Sequence, residues 1–216
     1  MPKKFDPREM RVLHSVYRRE FWLAPSLIRG VADGDTARAV VVDRHLDLVE
    51  GALEEHHNAE DEVLWPLLLD RVPVDVAPLV RRMDAQHQLV TTALSRIKAQ
   101  RRIWVQEARA AVGVDVAEQY QSLYHALVEH LDDEETNIMP LVAQHLTVAE
   151  WRRRARHSSG GKKLSEIPLM FGMMQYEGDA EVIAAMVPQP VRSVLGVLGR
   201  RAFGRHSRGV YGTATP

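Results

Sequence analysis

Cysteine is absent from the chain. Its absence removes disulfides and thiolate metal sites together and agrees with a cytoplasmic protein. No run approaches the ~18 uninterrupted apolar residues that would mark a membrane-spanning helix. The opening MPKKFDPREMR lacks the apolar stretch of a secretory leader, so none is expected. A basic face is missing from most of the chain as well: residues 1–150 hold more Asp and Glu than Lys and Arg, and the positive excess is confined to residues 151–216. An acidic body of that kind has little to offer a phosphate backbone, which argues against nucleic acid as a partner.

What is present suffices for a core. The chain has 216 residues, 45% of them apolar, which suits one domain with an appendage or two small domains. Asp6-Pro7-Arg8-Glu9 reads as a helix start, with Asp6 as cap, Pro7 in the first turn and Glu9 reaching back. That helix is expected to reach about Val31, with a kink at Pro25. A second is expected from Thr36 to Leu69, its apolar stripe stepping by threes and fours through Val42, Leu46, Val49 and Leu53. RVPVDVAP is the next turn. A third helix should cover Pro78–Ala111. Gly113 and Asp115 are then expected to break the chain before a fourth over Val116–His145. The expected fold is all-α: an up-down-up-down four-helix bundle over residues 1–146 with a C-terminal helical extension over 147–216. In the extension, Thr147-x-x-Glu150 forms a capping box, HSSGGKK is a linker, DAEVIAAMV and VRSVLGVLGRRAF are helical, and GVYGTATP is expected to be extended or disordered.

The inward stripes contain an anomaly. His14, His56, Glu60, His87, His130 and Glu134 fall where leucine or valine is expected. Left unpaired in a core, each would cost on the order of several kcal/mol. Bound metal removes that penalty. A residue and its i+4 neighbour share a helix face about 6 Å apart along the axis, so His56 and Glu60 face one place, as do His130 and Glu134. The order is His, His-x3-Glu, His, His-x3-Glu. This internal two-fold favours two metals over one. Imidazole and carboxylate without thiolate suit Fe, Mn, Zn or Cu rather than Ca or Mg.

The eleven-residue stretches HHNAEDEVLWP, His56 to Pro66, and HLDDEETNIMP, His130 to Pro140, resemble the two HHE motifs of the hemerythrin-like cation-binding domains. With His14 and His87 the resemblance extends over about residues 6–146. It implies two iron ions, oxo- or hydroxo-bridged, with Glu60 and Glu134 as bridges. His14 and His56 would then serve one iron, and His87 and His130 the other. The small molecules implied are O2, H2O2 or NO. The sequence departs from the family's oxygen carrier in two places. Thr91 stands where a further histidine would follow His87, and Glu134 lies four residues after His130 where the carrier has an aspartate five after. One ligand fewer leaves both irons open and tilts the expectation toward turnover of peroxide. Three readings stay in play: a binding or sensing module, a catalase-like enzyme, and iron storage or buffering.

Other signals have plainer readings. Glu54-x-x-His57 would be ferritin-like only with a second Glu-x-x-His on a facing helix, and Leu127 stands where that glutamate is needed. His57, about 100° around the helix from His56, is expected to be solvated or to support a ligand. Asp61, Glu62, Asp132, Asp133 and Glu135 read as a solvated face, some of them accepting hydrogen bonds from ligand imidazoles. Tyr17 reads as core with its hydroxyl near the site, a ligand or redox role being the alternative. His125 and His145 lie off the site, and His45, His157 and His206 are expected at the surface. WRRRARH reads as a short solvated helix. IPLMFGMM is expected to cover the bundle or to join two copies as a homodimer.

Overall fold

The computed structural model describes residues 6–159 and 165–216. Among them there is no strand. The chain runs through α1 (Arg8–Arg29) and α2 (Thr36–Ala59), a π-helical turn at Glu60–Leu64, α3 (Trp65–Leu69), α4 (Ala77–Glu107) and α5 (Ala110–Asp133). A second π-helical turn at Glu134–Ile138 leads into α6 (Met139–His145), then α7 (Val148–Ser159), α8 (Ile167–Glu177), α9 (Ala180–Met186) and α10 (Val191–Tyr211). Among the described residues no helix is long and apolar enough to cross a membrane.

Helices α1, α2, α4 and α5 pack in a ring, α1 on α2 and α5, and α4 on α2 and α5. Their inward stripes make the main core, including Phe21, Val42, Leu53, Leu94 and Leu127, each burial contributing about 1.5–3 kcal/mol. A second apolar cluster, with Met10, Leu64, Leu68, Met83 and Ile138, closes the other end. Helices α1 and α4 pass from one cluster to the other, while the chain after α2 and α5 enters the second cluster through the π turns, α3 and α6; the polar positions lie in between.

Helix ends explain where the sequence reading held. Asp35 accepts the Arg38 N–H at 2.9 Å and starts α2. The capping box at Thr147 and Glu150 is formed in both directions. At Asp6 the carboxylate accepts the Arg8 N–H at 3.0 Å, but Glu9 does not reach back; it accepts the Trp151 indole N–H at 2.9 Å. Helix α1 continues through Pro25 to Arg29.

The expected break at Gly113 and Asp115 is absent, because both lie inside α5. The third helix ends earlier, at Ala108, which adopts the left-handed conformation (φ 48°) without being glycine. Asp33, in the link between α1 and α2, accepts the Ala110 N–H at 2.7 Å and so caps α5 from a distant part of the chain. Gly113 stays helical and bare: a Cβ there would lie 2.9 Å from Trp104 Nε1. The expected single helices Thr36–Leu69 and Val116–His145 are each interrupted by a π turn at the motif glutamate.

The extension covers the ring. Helix α8 packs on α1 and, most extensively, on α10, through an approach that only glycine permits. A Cβ on Gly172 would lie 2.2 Å from the Gly199 carbonyl oxygen. IPLMFGMM therefore covers the bundle, with Met170, Phe171 and Met173 buried. GVYGTATP is not wholly extended, since α10 runs on to Tyr211 before Gly212 ends it at φ 77°. Of the expected linker HSSGGKK, residues 160–163 lie outside the described residues.

Two buried polar networks tie elements together. Arg101 on α4 reaches Asp43 at 2.7 Å, Glu50 at 2.7 Å and the Tyr120 hydroxyl at 2.6 Å, and also touches Asp47. Near α10, His45 binds Glu20 at 3.1 Å and His206 at 3.0 Å, with Tyr211 joining both Glu20 and His45. His45 is thus buried and His206 half-buried, contrary to their expected place at the surface. They are needed there because α10 carries a polar face onto the ring.

Candidate metal centre

The six expected positions converge. His14 comes from α1, His56 from α2, His87 from α4 and His130 from α5. Glu60 and Glu134 each open a π turn. All are buried. His14 Nε2 lies 3.2 Å from His56 Nε2 and 3.3 Å from Glu134 Oε2. His87 Nε2 lies 3.2 Å from His130 Nε2 and 3.7 Å from Glu60 Oε2, while the other Glu60 oxygen is 3.4 Å from His56 Nδ1. Each glutamate therefore faces histidines of the other half of the chain. The π turns place them so: the Trp65 and Met139 N–H groups bond back to the Glu60 and Glu134 carbonyls, five residues away, widening the helix at that residue.

A seventh residue belongs to the site. His57 is 3% exposed and stacks on His87 with ring centroids 3.9 Å apart. Two trios have candidate ligand atoms within 4.8 Å of one another: His14, His56 and Glu134, and His57, His87 and His130. The expectation of a solvated His57 is overturned. The angle of about 100° between His56 and His57 is small enough for both histidines to face inward.

The outer contacts set the imidazole protons. His14 Nδ1 meets Glu135 Oε1 at 2.9 Å, His87 Nδ1 meets Asp61 Oδ1 at 2.6 Å, and His130 Nδ1 meets the Gln86 side-chain oxygen at 3.2 Å. An acceptor at Nδ1 holds the proton there and leaves the Nε2 lone pair for the centre. Arg18 bridges Glu135 and Asp132, at 2.7 and 2.6 Å. Two acids of the motif face, Asp61 and Glu135, thus support imidazoles, whereas Glu62 pairs with His157 at the surface. Tyr17 donates its hydroxyl to the Ala52 carbonyl at 2.8 Å and packs beside His56, so it is core.

The sequence of the hemerythrin HHE cation-binding domain family matches residues 18–142. The chain belongs to that family. No curated protein and no solved structure matches it. The matched segment of this HHE domain begins just after His14, and the histidine that completes the first trio is supplied from before it.

The electrostatics fit a cation-binding HHE domain. Burial, together with neighbouring positive groups, pushes His56 and His57 well below the ordinary imidazole range, and burial drops His130 to about 3. Burial opposes charge on His14 too, but Glu134 and Glu135 outweigh it and raise that group. Burial and the nearby Glu134 push Glu60 well up, whereas burial at Glu134 is overcome by His14, which draws it down. His57 Nε2, Glu60 Oε2 and both Glu134 oxygens are buried with no hydrogen-bond partner. Orphaned acceptors of this kind cost about 1–3 kcal/mol each unless something binds them, and all four face the trios. The donor set fits metal.

A further residue came from outside the motifs. Arg154, on α7, is 4% exposed; its Nη2 donates to Glu60 Oε1 and touches His56 Nδ1, and its guanidinium lies 5.1 Å from the Trp151 ring. WRRRARH is therefore not a solvated helix. Trp151 and Arg154, three apart, form its inner face, a spacing readable in the sequence and hidden by its run of charge.

Proposed function

We propose that the chain holds a non-haem diiron centre that binds or senses O2, peroxide or nitric oxide. One observation carries the reading: two trios of buried ligand atoms beside orphaned glutamate oxygens. In this reading His14 and His56 serve one iron and His87 and His130 the other, with Glu60 and Glu134 shared. His57 supplies the nitrogen that Thr91 does not, and that restores a contrast between a fuller and a more open iron. A diiron pair supplies electrons and Lewis acidity at one buried point. The chain holds the imidazole protons outward on Glu135, Asp61 and Gln86, and keeps water out with Met10, Tyr17 and Trp65. We read the four packed helices with their short links as an up-down-up-down bundle, residues 1–146, with 147–216 as an extension over it, in a cytoplasmic protein.

Aerobically purified protein should carry two irons per chain and show oxo-bridge absorption in the near ultraviolet; metal analysis giving no iron after reconstitution would overturn the reading. A catalase-like enzyme, the second reading, should evolve O2 from H2O2 at a sustained rate. With His57 inward the second trio has its third nitrogen, which favours binding or sensing over turnover.

A further inference from the structure

A cavity of about 260 Å³ lies where α7, α8 and α9 close over α1. Its walls are mainly apolar, with Met10 and Leu13 from α1, Met170 and Met174 from α8, and Trp151 from α7. Arg154 and Tyr17 also line it, and these are the residues that touch His56 and Glu60 on their far side. The cavity thus stops one layer of side chains short of the candidate metal centre.

Size and polarity narrow what it takes. Dioxygen or hydrogen peroxide would leave most of the space empty, and an apolar cavity of about 150 Å³ already accommodates benzene. The two charged residues on the wall are engaged: Glu9 accepts the Trp151 indole N–H, and Arg154 uses Nη2 on Glu60 and His56. The Tyr17 hydroxyl is given to Ala52. A charged ligand would leave water without a free countercharge. The Arg154 guanidinium still keeps an Nε–H with no partner, and the methionine thioethers are polarisable and adapt to irregular apolar shapes.

We propose that this cavity binds a small uncharged alkyl or aryl molecule bearing one hydroxyl or hydroperoxyl group, its polar end at Arg154 and its hydrocarbon among the methionines. Binding stands on the cavity alone. Only the step from a bound molecule to the centre behind Arg154 rests on the diiron reading.

The test uses the full chain, with iron content measured on the same sample. 2-Phenyl-2-propanol, titrated by calorimetry and by tryptophan emission, should bind one per chain, and cumene hydroperoxide should bind metal-free protein comparably. Met170→Trp and, separately, Leu13→Phe should weaken the alcohol by about tenfold or more, with thermal melts showing that each variant folds. Arg154→Gln should bring the alcohol's affinity down toward that of isopropylbenzene, which lacks the hydroxyl. Absence of saturable binding, equal affinity in both folded filling variants, or tighter binding of benzoate than of the alcohol would each overturn the proposal. Protein that binds the alcohol but holds no iron would retire the diiron reading and leave the cavity assignment standing.

Discussion

His57 shows how one side chain changes the chemistry inferred from its neighbours. Its ring packs on His87 and its Nε2 has no hydrogen-bond partner, so replacing it removes a donor from the second trio. His57→Ala should take iron from two per chain toward one, by metal analysis, with the helix content by circular dichroism kept. His56→Ala and His130→Ala should each lose iron too; unchanged content in both would refute the ligand set. Arg101 is a different kind of buried charge, serving structure alone. Arg101→Met leaves Glu50 buried without its cation and should destabilise the fold by about 3–5 kcal/mol in urea melts. Single residues were well read from the sequence where spacing alone decides, as for the six motif positions. They were misread where a partner far along the chain decides, as for His45, which the sequence pairs with nothing and the fold pairs with Glu20 and His206.

The ring helices were legible but imprecise in interior detail, and α8 was read only as an apolar run. Periodicity located all four ring helices, yet no residue type announces a π turn, and both fall inside unbroken helical patterns. Each adds one residue to its helix. Deleting Asp61 should close the turn to ordinary α-helix with Trp65 and Leu68 still on the core, while His87 loses its Nδ1 acceptor and Glu60 its widened turn; loss of iron with helix content by circular dichroism kept is the expected outcome. The link after α4 is hidden from the sequence for a related reason: the stop is Ala108, a left-handed non-glycine residue whose carbonyl accepts the Gly34 N–H from the α1–α2 link, and not Gly113. Between α8 and α10 the decisive residues are glycines. Gly172→Ala puts a methyl against the Gly199 carbonyl and should cost about 1–3 kcal/mol, read as faster amide exchange in both helices.

Across the whole molecule, stability should follow both metal and proton. Stripping iron with a chelator should lower the melting temperature, since a ligand present at a thousandfold its dissociation constant contributes about 4 kcal/mol. Acid acts in the same direction at α10. His206 is held down to about 4 by burial and by neighbouring His45, against about 6.5 in an unfolded chain. Between those values the unfolded state binds the extra proton, so stability declines as pH falls from about 6.5 to 4. His206→Gln should flatten that part of the pH profile of metal-free protein; an identical slope would contradict it. The ring helices and the convergence of the six motif positions were readable because they rest on local spacing. The role of the extension was not, because the spacing of Trp151 and Arg154 marks an inner face without saying what that face meets.

The family match ends at residue 142, and Arg154 comes after it. A fragment trimmed to the matched segment and its flanking His14 would keep every imidazole and both motif carboxylates, yet Glu60 would lose its guanidinium and α1 its roof. The family match would then cover almost the whole fragment, while the candidate metal centre would lose the cover that α7 lays over Glu60 and His56.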